Sequence, residues 1–420
     1  MDRSPARRSG TAEAAAKAVL EGPGMSGPLA AAVRPLGLRP DSWTHLRSHH
    51  RPGAGVSALY RVDAVPRSGT AGGAQQRVRL HVGATTAELG DAGGAVVRTE
   101  AGGTAVQLWI HPRDPVLAGL PWATDAGAVA RGVFGADSAA ARADLRLVAY
   151  RPLRRAVVRG TYLGDSVFLK VPQPRLADGL RRRLMLAADA GLPVPPLRAP
   201  APGAGPAAAG VLVLGALPGR SLHQELRTAG SGEWDPALLT GLLDQLPAAA
   251  LALPRRAAWS ERILDYGAGA AAALPQGAER IIRCAEGVAG MVRSTDPGPL
   301  VPSHGDFHGG NLLVRSGDLQ ITGLLDVDAL GPGHRVDDLA CFLGHLSVLA
   351  ALAPENAALR AAAVRCARVF TRSTGAAALY CRSAGVALTL VAGAAGRGPD
   401  AAHRTLAAAE ELLAVSRSRS

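Results

Sequence analysis

Four short runs early in the chain (56–62, 77–82, 96–99 and 105–110) carry apolar side chains in the spacing of half-buried strands. Gly-rich breaks such as Ala71-Gly72-Gly73 and Ala101-Gly102-Gly103 separate them. They predict a small sheet-rich α/β unit over 41–130, with 114–143 helical or irregular. A second β pattern follows. Runs 156–162 and 166–171 flank a Gly164-Asp165 hairpin turn, 176–190 reads as a helix, and 211–217 is a short apolar strand. From Ser221 onward Ala- and Leu-rich runs predict helices near 222–228, 236–252, 258–273, 276–293, 338–350, 355–373, 376–395 and 400–415, with a β insertion at 311–326. Residues 1–24 lack apolar periodicity and are expected to form a disordered tail. No signal-peptide core is expected there, and Met25 is a second candidate start. Arg51-Pro52 before Tyr60 echoes Arg151-Pro152 before Tyr162, a faint sign of duplication.

Composition narrows the classes. The 420 residues are 48 % hydrophobic, enough for two or three packed units. The most apolar stretch, 376–396, is interrupted by Arg382 and small polar residues, so a buried helix is expected and no membrane span. The formal charge of +12 suits an anionic partner, yet aromatics make up 4 % and no basic run alternates with them, which argues against nucleic acid. Cys284, Cys341, Cys366 and Cys381 have neither CxxC nor metal-ligand spacing and are expected as buried thiols in a reducing cytoplasm. Lysine occurs twice, at Lys17 and Lys170, and asparagine twice, at Asn311 and Asn356. Against so many arginines, an internal Lys170 on a strand is a candidate for chemistry.

The informative segment is Ser303-His304-Gly305-Asp306-Phe307-His308-Gly309-Gly310-Asn311-Leu312-Leu313-Val314, followed by Gly323-Leu324-Leu325-Asp326-Val327-Asp328 and Val336-Asp337-Asp338-Leu339-Ala340. Phosphoryl transfer needs a carboxylate near the acceptor hydroxyl and hard oxygen ligands for the cations that bridge a triphosphate. Asp306 at the start of a loop and Asn311 five residues on can face one cleft across that loop, and a hairpin turning at Ser316-Gly317-Asp318 returns Asp326 close to Asn311, so Asn311 and Asp326 could share a metal. A hydrolytic metal site built on alternating His304, Asp306 and His308 lacks further ligands at matching spacing. Isolated Asp and Asn in a Gly-rich loop are ordinarily turn residues; it is the combination that argues for chemistry.

The motif His304-Gly305-Asp306-x-His308-x-x-Asn311-Leu312-Leu313 with Asp326-x-Asp328 and Asp338-Leu339-Ala340 resembles the aminoglycoside phosphotransferase and choline kinase superfamily, over roughly 145–415. Arg151-Pro152 and His111-Pro112-Arg113-Asp114-Pro115 add a less specific likeness to actinobacterial-type phosphotransferases with an extra N-terminal region. The resemblance implies an α+β, bilobal protein-kinase-like fold, with a β-rich N-lobe at 145–217 and a helical C-lobe at 218–415. It implies a catalytic loop at 304–311 and a metal segment at 323–328. It implies ATP and Mg²⁺ as cofactors and a hydroxyl of an amino sugar, sugar or amino alcohol as acceptor. Asp306 would be the catalytic base, Asn311 and Asp326 the Mg²⁺ ligands, and Lys170 the phosphate contact. Leu214, Gly215 and Ala216 would run into the adenine-pairing hinge. His304 and His308 would be structural parts of the loop, and Asp338 would cap the following helix. The resemblance leads one to expect a glutamate on helix 176–190 to pair with Lys170, but arginines stand there; the alternative is a non-catalytic pseudokinase that binds nucleotide or ligand.

Overall fold

The computed structural model describes residues 15–50, 55–67, 77–90, 96–201, 205, 208, 210–228 and 234–419. Two compact units emerge. One comprises Met1–Asp178 with Leu197–Ala216, and the other Gly179–Pro196 with Leu217–Ser420. The two β-rich segments expected as separate units thus fall together. The chain crosses from the first unit to the second within the helix Pro174–Asp189 and again after Ala216.

The first unit holds two five-stranded antiparallel sheets. Strands β1 (Leu38–His50), β2 (Val56–Pro66), β3 (Val78–Thr85), β4 (Val97–Ala101) and β5 (Thr104–Ile110) lie in the order β1-β2-β3-β5-β4. Strands β6 (Asp144–Arg151), β7 (Arg155–Tyr162), β8 (Asp165–Pro172), β9 (Leu197–Arg198) and β10 (Leu212–Gly215) lie in the order β6-β7-β8-β10-β9. Counted within each sheet, the order is the same: first, second, third, fifth, fourth. The two residues that raised the duplication, Arg51-Pro52, lie outside the described residues, and so does the break Ala71-Gly72-Gly73; the strand order now carries the echo instead.

The tail expectation needs correction. Residues 15–21 are helical, followed by the helix Ser26–Val33. Leu20 and Met25 are fully buried in one core with Tyr60, Val62, Val82 and Leu108, and the Tyr60 hydroxyl donates to the Leu20 carbonyl. One buried leucine in a small-residue run is too little to register as periodicity, yet it suffices to seat the segment. Residues 1–14 lie outside the described residues. A second core joins Val158, Val167, Leu169, Val171 and Val213 to the helices Leu120–Ala123 and Ala126–Phe134. Alternation along β8 therefore turns Lys170 to the opposite face, beside Val157 and Leu212. The β7–β8 turn is also corrected. Tyr162 pairs with Asp165, so the turn residues are Leu163 and Gly164, with φ of 47° and 84°.

The second unit carries the helices Ile263–Ala273, Ala278–Ser294, Arg335–Leu352, Ala357–Phe370, Ala376–Thr389 and Pro399–Arg417 around a core that includes Ile281, Val288, Leu388, Leu406 and Leu413. The stretch Ala376–Ala395 is long and apolar enough to cross a membrane by length and composition, and 61 % of it is buried inside the protein. Two small sheets stand beside the helices. Strands β11 (Arg220–Ser221), β13 (Leu312–Val314) and β14 (Ile321–Leu324) form one; β12 (Leu300–Ser303) and β15 (Gly331–His334) form the other.

Candidate active site

The loop between β12 and β13 holds Asp306, His308 and Asn311, and backbone bonds set its shape. Asn311 N donates to the His308 carbonyl at 2.9 Å, and Asn311 Nδ2 donates to the Asp306 carbonyl, also at 2.9 Å. That bond commits the Asn311 amide nitrogen inside the loop. Leu325 N donates to the Asn311 carbonyl at 2.7 Å, continuing the β13–β14 ladder in which Leu312 pairs with Leu324. The next residue is Asp326, whose φ of 57° and ψ of 46° are left-handed, a costly conformation for a residue with a Cβ. The expected juxtaposition is therefore present: the hairpin brings the Asp326 backbone next to that of Asn311.

His304 joins the two segments. Its Nε2 lies 3.0 Å from the Leu325 carbonyl, and its Nδ1 accepts from Asp306 N at 3.3 Å. An imidazole that accepts at Nδ1 carries its proton on Nε2 and donates it to Leu325, so these two bonds define one neutral tautomer. One side chain thus fixes the backbone of Asp306 and the carbonyl preceding Asp326.

Asp338 was expected to cap its helix, and it does not. It lies in the first turn of Arg335–Leu352, where His334 occupies the cap position without a side-chain bond. Its buried carboxylate instead accepts from Ser303 Oγ at 3.0 Å, His304 N at 2.8 Å and Gly305 N at 2.8 Å. Burial pushes this carboxyl up, while the hydrogen bonds from His304 N, Gly305 N and Ser303 Oγ pull it back. Its role is to pin the loop from behind. Beside it, Asp337 pairs with Arg382 at 3.3 Å and accepts from Ser260 Oγ.

The loop also packs against side chains that the sequence did not single out. The His308 and His345 rings stack at 4.2 Å, and His223 lies 5.6 Å from the first and 6.1 Å from the second. Gly309 and Gly310 make room for them: a Cβ at Gly309 would meet His223 Cδ2 at 2.4 Å, and one at Gly310 would meet His308 Cε1 at 2.8 Å. Burial lowers the pKa of all three rings, that of His223 to about 3; for His308 the Asp306 carboxylate opposes the shift. Nothing in the spacing of eleven histidines marks His223 or His345; only the folded chain brings them to His308.

Arg183, one of the arginines on the helix after Lys170, is buried, and its guanidinium donates to the Leu330 carbonyl at 3.0 Å and the Gly179 carbonyl at 3.0 Å. It ties that helix to the turn after Asp326-Val327-Asp328. In the first unit, Lys170 is 8 % exposed on β8, Leu214 and Gly215 end β10, and Ala216 N donates to the Ser166 carbonyl. Several acids of the 221–300 segment have local partners: Glu225 with Arg220 and Ser316, Asp244 with Arg335, Glu261 with Arg255, Asp265 with Arg262, and Glu279 with Arg283.

Residues 151–377 match the phosphotransferase enzyme family. No curated protein matches the chain. Solved structures that match include a type VIII aminoglycoside-3'-phosphotransferase, 21 % identical over 59 % of this chain and 93 % of that one, with a TM-score of 0.38. A choline/ethanolamine kinase family protein from Mesorhizobium loti is 20 % identical over 65 % of this chain and 92 % of that one, TM-score 0.43. A spectinomycin phosphotransferase in complex with ADP and spectinomycin is 12 % identical over 66 % and 92 %, TM-score 0.42.

Proposed function

Because the chain belongs to the phosphotransferase enzyme family, we propose that it is a cytoplasmic enzyme that moves the γ-phosphoryl group of ATP to a hydroxyl of a small molecule. The observation that carries this reading is the bond from Leu325 N to the Asn311 carbonyl, which sets the backbone of a left-handed Asp326 beside the loop that holds Asp306 and Asn311.

The donor set fits Mg²⁺. Asn311 Oδ1 and the Asp326 carboxylate are hard oxygens, and the Asn311 nitrogen is turned away into the loop. When bound there, the ion neutralises triphosphate charge. Asp306 accepts the proton of the acceptor hydroxyl as its oxygen bonds to the γ-phosphorus and the bond to the β-phosphate oxygen breaks, releasing ADP. His304 and Asp338 hold Asp306 in place through the backbone. Lys170 and the strand end Leu214-Gly215-Ala216 are assigned to the nucleotide.

The acceptor is an amino sugar, sugar or amino alcohol. An ADP-release screen across sugars, amino sugars and amino alcohols tests the reading, with Asp306→Asn as control. One class should release ADP with the wild type and orders of magnitude more slowly with the variant. Nucleotide binding without transfer to any class would support the pseudokinase alternative.

A further inference from the structure

The proposed transfer leaves three imidazoles beside Asp306 without a task. One ligand atom each from Asp306, His308 and His345 lie within 4.8 Å of one another, with His308 Nε2 3.9 Å from Asp306 Oδ1. An independent observation points the same way: His223 Nε2, on the ring stacked against the other two, is buried and has no hydrogen-bond partner. A buried ring nitrogen is costly to leave without a partner, so such an atom marks a place where one is missing.

We propose that Asp306, His308 and His345 bind a divalent transition metal such as Zn²⁺, beside the His223 ring. Two imidazoles and one carboxylate suit Zn²⁺ or Co²⁺, whereas Mg²⁺ prefers oxygen alone, so this site and the Asn311–Asp326 pair select different ions. Ligand atoms around Zn²⁺ stand roughly 3.4 Å apart, given bonds of about 2.1 Å, so the cluster closes when the atoms draw together and one of the stacked His308 and His345 rings turns out of the stack. Binding has one identifiable cost. His308 Nδ1 accepts from Gly310 N at 3.0 Å, and a metal on Nε2 moves the ring proton to Nδ1 and breaks that bond. Losing one hydrogen bond lowers affinity roughly fivefold, which makes this a reversible site rather than a permanent structural one. A metal on Asp306 also withdraws the carboxylate from proton transfer, so occupancy and turnover exclude each other. That consequence rests on the reading of Asp306 above; the binding itself does not.

The test uses the full chain without a histidine tag, titrated with Co²⁺ and followed by visible absorption. The expected result is one Co²⁺ per chain with the absorption bands of a nitrogen- and oxygen-ligated ion, and at least about tenfold weaker binding in His345→Gln and Asp306→Asn. Proton NMR of the wild type reads the same site without substitution: Co²⁺ should shift or broaden the His308 and His345 ring resonances first. Equal Co²⁺ affinity in the wild type and both variants, or first broadening of other histidines, overturns the proposal.

Discussion

Asp338 shows how one residue can hold a site it never touches. Its buried carboxylate accepts from buried Ser303 and His304 and from the more exposed Gly305 N–H. Asp338→Ala strands the buried Ser303 hydroxyl and His304 N–H and should cost about 3 kcal/mol of stability, read as a fall in melting temperature. An unchanged melting temperature would show that the loop has other support. Asp306→Asn is the contrasting case. It preserves size and should keep nucleotide affinity while turnover falls by orders of magnitude; transfer at the wild-type rate would remove Asp306 as the base. At this scale the motif spacing made Asp306, Asn311 and Asp326 legible as candidates, and the hairpin that brings the Asp326 backbone beside Asn311 was legible with them. His223, His345 and the tie from Arg183 were not, because their partners are remote in the chain and their residue types carry no spacing signal.

Among the elements, β2, β3, β5 and the edge strand β4 were readable, and the edge strands β1 and β6 were not. β2, β3 and β5 alternate as inner strands do, and their runs appear in the sequence. β1 and β6 pair on one side only, with β2 and β7. β6 buries little beyond Tyr150, and its Leu147 and Val148 are exposed, so its apolar residues do not mark a buried face. The residues before β1 give a testable correction. Leu20 is fully buried, so Leu20→Ala should cost roughly 2–5 kcal/mol. A loss below about 0.5 kcal/mol would mean that 15–21 does not dock. The segment Leu217-Pro218-Gly219 depends on glycine: Gly219 has a φ of 107°, and a Cβ there would stand 2.6 Å from the Val314 carbonyl and Thr322 Oγ1. Gly219→Ala should destabilise by about 2 kcal/mol or more in chemical denaturation, and a neutral result would show that β11 can shift.

At the scale of the whole molecule, buried histidines make stability depend on pH. Burial, with Arg151, Arg47 and Arg154 nearby, lowers His49 to about 4, and burial with His81 lowers His111 to about 4. The unfolded chain binds protons at these groups from about pH 6.5 downward while the folded chain does not. Their stabilising contribution is therefore complete above about 6.5 and is lost as pH falls towards 4. Melting temperature should drop over that interval; a flat profile from 7 to 5 would contradict it.

The central claim is that the Asn311–Asp326 junction handles the charge of a magnesium-bound triphosphate. Calorimetric titration of ATP with and without Mg²⁺, into the wild type and Asp326→Ala, tests it most directly. Magnesium should strengthen binding to the wild type and have little effect on the variant, because the lost carboxylate leaves the ion without its ligand. Equal magnesium-dependent affinity in the two proteins would contradict it.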